Sequence, residues 1–147
     1  ASKALHADFS PDGAFVLTAS WDRTAKIWSV KSLRCVTTLE GHSNVVCSAV
    51  FSSDGSLVLT ASHDNTAKIW NSATGECLQT LTGHSHWVRF AAFSVDNALV
   101  VTSSSDCTAK IWNARSGACI RTNATHTDVV RSAALPGSTR TLYSQCH

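Results

Sequence analysis

Asp64-Asn65-Thr66-Ala67-Lys68-Ile69-Trp70 decides how the rest of the chain is read. The same phrase stands earlier as Asp22-Arg23-Thr24-Ala25-Lys26-Ile27-Trp28 and later as Asp106-Cys107-Thr108-Ala109-Lys110-Ile111-Trp112. Trp28, Trp70 and Trp112 are therefore 42 residues apart. A fixed period of a few tens of residues marks a repeat architecture, in which each unit is a small element that cannot bury its apolar faces alone.

Within the second unit, residues 45–51 read as a strand, and Ser53-Asp54-Gly55 breaks it with turn chemistry. Residues 57–62 form a second apolar, β-branched run, His63-Asp64-Asn65 a tight polar turn, and residues 66–70 a third run. Residues 73–76 turn again, and residues 77–81 close the unit. The first unit repeats this at 5–9, 15–20, 24–28 and 35–39, and the third at 87–93, 99–104, 108–112 and 119–122. Four antiparallel strands in about 40 residues are the layout of a propeller blade. The expectation is an all-β chain with blades at 3–40, 45–82 and 87–124 and a half-blade at 129–146, together an incomplete ring. The 147 residues hold three and a half units and no Met, which predicts a piece of a longer array. The missing blades of its own chain, or another copy, would then close the ring.

A net charge of +2 gives no electrostatic case for nucleic acid or an acidic membrane surface, so neither is expected as a partner. No run of about 18 apolar residues is present to span a bilayer. Cys35, Cys47, Cys77, Cys107, Cys119 and Cys146 include no C-x-x-C pair, so no metal or cofactor is expected. Cys35, Cys77 and Cys119 recur at the repeat period and read as small buried hydrophobes in a reducing, intracellular compartment, cytoplasm or nucleus.

These residues resemble the WD-repeat β-propeller family over the whole chain. The resemblance is carried by Gly41-His42 and Gly83-His84, the turns like Pro11-Asp12-Gly13, Ser-x-Asp at the second turn, and Ile-Trp closing the third strand. In one respect the chain departs from the pattern. The Asp that usually follows the Trp is Ser29, Asn71 or Asn113 here, which leaves open what replaces its hydrogen bonds.

His42, Ser62, Asp64 and Trp70 fall in one unit, and His84, Ser104, Asp106 and Trp112 repeat the set. Ser, His and Asp together suggest a nucleophilic triad, but an active site is needed once and this set recurs. The resemblance implies instead a buried network. Asp accepts from one His nitrogen and from turn amides, the Ser hydroxyl donates to the other nitrogen, and the indole N–H donates to the Ser oxygen. Ser20, Asp22 and Trp28 form an incomplete copy without a His. Lys26, Lys68 and Lys110 form a row expected at the solvent rim.

The family resemblance also implies that partners bind the face carrying the inter-blade loops and the second turn. The residues reaching it here are Lys3, Leu5 and Trp21, then Val45, Cys47 and His63, then Trp87, Arg89 and Ser105, and finally Val129 and Arg131. Trp21 and Trp87 stand outside the periodic Trp set, and Trp and Arg are enriched at binding hot spots. The function expected is a non-catalytic scaffold that binds protein or peptide partners, part of a larger, seven-bladed WD-repeat propeller. The alternative is a sensor or substrate-recruitment module of a signalling or ubiquitin-ligase-type protein.

Overall fold

The computed structural model describes residues 3–124. The expected half-blade at 129–146, with Val129, Arg131 and Cys146, lies outside these residues. The first sheet contains β1 (Ala4–Phe9), β2 (Phe15–Ser20), β3 (Ala25–Ser29) and β4 (Cys35–Leu39). The second contains β5 (Val46–Phe51), β6 (Leu57–Ser62), β7 (Thr66–Asn71) and β8 (Cys77–Thr82). The third contains β9 (Val88–Phe93), β10 (Leu99–Ser104), β11 (Ala109–Asn113) and β12 (Cys119–Asn123). Each is a four-stranded antiparallel meander in chain order, and the three sheets do not close into a ring.

Two cores join the blades. In the first, Leu17, Ala19, Ile27 and Leu39 of one sheet meet Val46, Ala49, Val58 and Trp70 of the next. In the second, Leu59, Ala61, Ile69 and Leu81 meet Val88, Ala91, Val100 and Trp112. Alternate residues of β6 therefore serve different interfaces, Val58 the first and Leu59 and Ala61 the second. Five of its six residues are buried, whereas β12, an outermost strand, is exposed throughout. Burial on both faces explains why β6 reads as a continuous apolar run rather than an alternation.

The second turn in each unit needs a left-handed residue. Arg23, Asn65 and Cys107 supply it with φ of 74°, 71° and 69°. At the turn after the Trp, Gly75 and Gly117 hold φ of 77° and 74°, while Leu33 takes the same place at 58°. The residue after the Trp keeps its capping role despite the departure from Asp. Asn71 Oδ1 accepts from the Ala73 and Thr74 amides, and Asn113 Oδ1 from those of Arg115 and Ser116. Ser29 is shorter, and its hydroxyl accepts a 3.3 Å bond from the Ser32 amide.

The reading of Cys35, Cys77 and Cys119 as buried is corrected: all three are exposed. They open the outermost strands, where each thiol lies 3.5–3.7 Å from the carbonyl two residues on. Lys26, Lys68 and Lys110 are half-buried. Lys68 Nζ donates to Thr80 and Lys110 Nζ to Thr122 across the outer strand pair.

Ser103 is completely buried in β10, and its hydroxyl has no hydrogen-bond partner. Ala19 and Ala61 hold the corresponding places in the other two units. Ser103→Ala is expected to stabilise the protein by about 1 kcal/mol, because it removes the desolvation cost of an unpaired hydroxyl. A denaturant midpoint that does not rise would contradict this.

Candidate functional site

Antiparallel pairing brings the start of each first strand to the end of each second strand, as in Val46↔Ser62 and Val88↔Ser104. The loop entering a blade and its second turn therefore share one edge of the sheet. Backbone bonds fasten them together: the Trp21, His63 and Ser105 amides donate to the carbonyls of Lys3, Val45 and Trp87.

Below this edge lies the repeated network. His42 Nδ1 donates to Asp64 Oδ2 at 2.7 Å, and His42 Nε2 meets the Thr60 hydroxyl at 2.6 Å. The Trp70 indole donates to the same Thr60 oxygen at 2.9 Å. A carboxylate can only accept, so the ring proton sits on Nδ1 and the Thr60 proton goes to Nε2. His84, Asp106, Thr102 and Trp112 repeat this at 2.8, 2.7 and 2.8 Å. The sequence expectation is corrected at one position. The hydroxyl between His and Trp belongs to Thr60 and Thr102, not to Ser62 and Ser104. Ser62 and Ser104 instead accept from the Asp64 and Asp106 amides and donate to the carbonyls of Asn44 and His86. Ser62 and Thr60 lie two apart on one strand face, so composition did not separate them, although Thr18, Thr60 and Thr102 also recur at the period.

In the first unit Trp28 donates to Thr18 at 3.0 Å and Asp22 caps Thr24, and no His among the described residues bonds either Thr18 or Asp22. Trp28 is half-buried, whereas Trp70 and Trp112 are fully buried. Gly41 permits the close approach of the entering loop. Its φ is 150°, and a Cβ there would lie 3.2 Å from the Trp70 ring.

The Asp64–His42–Thr60 line has the order of a nucleophilic triad, but it is closed to substrate. Thr60 is completely buried, and its oxygen is held by the indole. Burial works against ionisation of both aspartates and is outweighed in both. His42 and the Thr66 hydroxyl hold Asp64 well below the usual carboxylate range. The Thr108 hydroxyl, His84 and the Ser85 amide hold Asp106 down to about 2. Burial also lowers the pKa of His84, partly offset by Asp106, which favours the neutral ring that the network uses.

On the edge itself, the second and third blades form a cluster. The His63 ring stacks on Trp87 with centroids 4.1 Å apart and planes 8° from parallel. The Arg89 guanidinium carbon lies 4.9 Å from the Trp87 ring centroid, and Arg89 Nε donates to the Ser105 hydroxyl at 2.8 Å. His86 meets Trp87 edge-on, and its Nδ1 accepts from the Trp87 amide. Sequence reasoning missed His86 because Asn44, which caps Val45 in the same way, stands at the repeat-equivalent place. Burial, then Arg89 and His86, lowers the pKa of His63 and favours its neutral stacking form. Trp87 stays 37% exposed, so the cluster is organised yet open to solvent.

The remaining expected residues sit differently. Trp21, 57% exposed, occupies the place of His63 at the first boundary, where Val45 stands in for Trp87. Lys3 and Leu5 are exposed. Cys47 is structural, since its thiol donates to the Val88 carbonyl of the next blade at 3.1 Å and burial pushes its pKa up to about 11.

Asp64→Ala and Thr60→Val are each expected to destabilise the protein by about 1–3 kcal/mol by leaving buried partners unpaired. The double variant should lose less than the sum, because both act on one chain of bonds. Strict additivity in denaturant titrations would contradict the geometry. Both aspartates have folded pKa values below their unfolded value of about 4. Their stabilisation is present above that value and is lost as pH falls from about 4 towards 2. Acid titration followed by tryptophan fluorescence should show this loss, and Asp106→Asn should flatten it.

A comparison with known families agrees with this architecture. The model for the WD domain, G-beta repeat, matches residues 2–29, 33–71 and 75–113. Proteins built of such repeats generally serve as scaffolds for protein–protein interaction and are typically not catalytic. With three matched repeats covering most of the chain, and three four-stranded blades in register with them, this protein belongs to the WD40 repeat family.

Proposed function

We propose that the chain is a non-catalytic scaffold that captures a protein or peptide partner on the edge where its inter-blade loops meet the second turns. The observation that carries this reading is the stacked His63–Trp87 pair with Arg89 and His86 around it. A large aromatic held in a fixed orientation gives up little entropy on binding, and Trp and Arg dominate interface energetics. Nothing in the scaffold demands this cluster. The first boundary is built on the same backbone bonds with Trp21 and Val45 in its place. Variation on a constant frame is how a repeat surface gains specificity for one partner. Cys35, Cys77 and Cys119 are exposed free thiols, which supports an intracellular setting where thiols stay reduced.

The test is partner capture by the protein carrying Trp87→Ala with Arg89→Ala. Each substitution is expected to cost at least about 2 kcal/mol of binding if it removes a hot spot. The melting transition should remain in place, and Arg115→Ala on the opposite edge should leave capture unchanged. Undiminished capture by the double variant would overturn the proposal.

A further inference from the structure

We propose a second binding site on the opposite edge of the sheets, independent of the loop edge, for a peptide segment that presents an apolar side chain beside a lysine or arginine. The site is a groove of about 510 Å³ between the first and second blades. Phe15, Ile27, Val36 and Phe51 form its apolar walls, and Asp12 and Asp54 stand in its lining. The volume lies within the range of built ligand pockets.

The two boundaries between blades show why the groove exists. At the second boundary, side chains bridge the two blades along this edge. Gln79 Nε2 donates to the Arg115 carbonyl at 2.7 Å. Ser53 donates to the Val95 carbonyl, and its hydroxyl and amide bond the Asn97 side chain. At the first boundary the repeat-equivalent residues are Thr37, which is too short to span the gap, and Pro11, which has neither hydroxyl nor amide N–H. Both stitches are missing, and the groove lies between Pro11, Thr37 and Ala73. Phe15 is 37% exposed and Val36 52% exposed here, so apolar surface remains available to an occupant.

Charge selects the occupant. Asp12 and Asp54 each commit Oδ1 to their own turn, where it accepts from the hydroxyls of Ser10 and Ser52 and the amides of Ala14 and Ser56. Oδ2 takes part in none of these bonds. No Lys, Arg or His lines the groove to neutralise the two carboxylates. Both carboxylates are exposed to solvent, so a ligand that uses the whole groove must offer them a positive charge as well as an apolar side chain to the walls, and an acidic one would be repelled. A basic residue next to the buried apolar side chain satisfies both demands.

The experiment is an array of short Gly/Ser-flanked peptides, each with one apolar residue adjacent to Lys, Arg, Gln or Glu, probed with the whole protein. Peptides with Lys or Arg are expected to bind about tenfold more tightly than their Gln partners, and Glu peptides not at all. Asp12→Asn with Asp54→Asn should remove that preference. Thr37→Gln should close the groove and abolish binding while leaving the fold intact, because Gln79 already holds this position in the next unit. Trp87→Ala should leave peptide binding unchanged, which separates this site from the loop edge. Failure of every peptide, equal binding of Lys and Glu peptides, or undiminished binding by the Thr37→Gln protein would each overturn the proposal.

Discussion

One hydroxyl group joins the parts of each complete blade. Thr60 Oγ accepts from the Trp70 indole and donates to His42, whose other nitrogen is held by Asp64. Those four side chains come from the second strand, the third strand, the entering loop and the second turn. Because Thr60 is buried, each unmade bond would carry a full desolvation cost, and the arrangement is therefore strongly specified. The indole that closes the chain of bonds also packs into the core shared with the preceding blade. Order inside one blade and attachment to its neighbour thus depend on the same side chain.

That constraint explains what is constant along the array and what is free to differ. The Thr, His, Asp and Trp positions recur because every unit must solve the same burial problem. Residues at the two edges solve none of it. On the loop edge, the positions of His63 and Trp87 are Trp21 and Val45 one unit earlier, over the same backbone bonds. On the opposite edge, Ser53 and Gln79 are Pro11 and Thr37 one unit earlier, and the bonds that bridge one seam are missing where the groove lies.

The same distinction sets how much could be read from the sequence. Blade order, strand placement and the turn chemistry were legible, because a 42-residue period imposes them three times over. The aromatic–cationic edge was legible as Trp87, which stands outside the periodic Trp set, with Arg89 beside it. What failed were choices that period and composition leave degenerate. Ser62 and Thr60 share a strand face and differ by one methyl group, so only their distances to His42 and Trp70 separate them. Cys35, Cys77 and Cys119 recur faithfully, yet recurrence does not imply burial on an outermost strand whose far side meets solvent. His86 was invisible because its backbone role is one that Asn44 performs equally well. Open seams are a further case, since the shortness of Thr37 matters only once the carbonyl it would have to reach is in view.

The first blade separates two layers of the network. Trp28 donates to Thr18 at nearly the distance found for Trp70 and Thr60, and no imidazole among the described residues bonds this Thr. The Thr–Trp bond therefore needs only the register of two neighbouring strands, which puts Val16 opposite Trp28 and Thr18 opposite Lys26. The imidazole belongs to a second layer. It ties the entering loop to the sheet, aligned by a glycine that lets the backbone lie against the indole. Sheet pairing fixes the hydroxyl, the hydroxyl orients the indole, and both then offer a site that one histidine tautomer fits. The loop edge inherits its geometry from that sequence of constraints. His63 precedes Asp64 in the turn and Trp87 follows the docked His84, so the aspartate–histidine pairs beneath position the aromatic pair above.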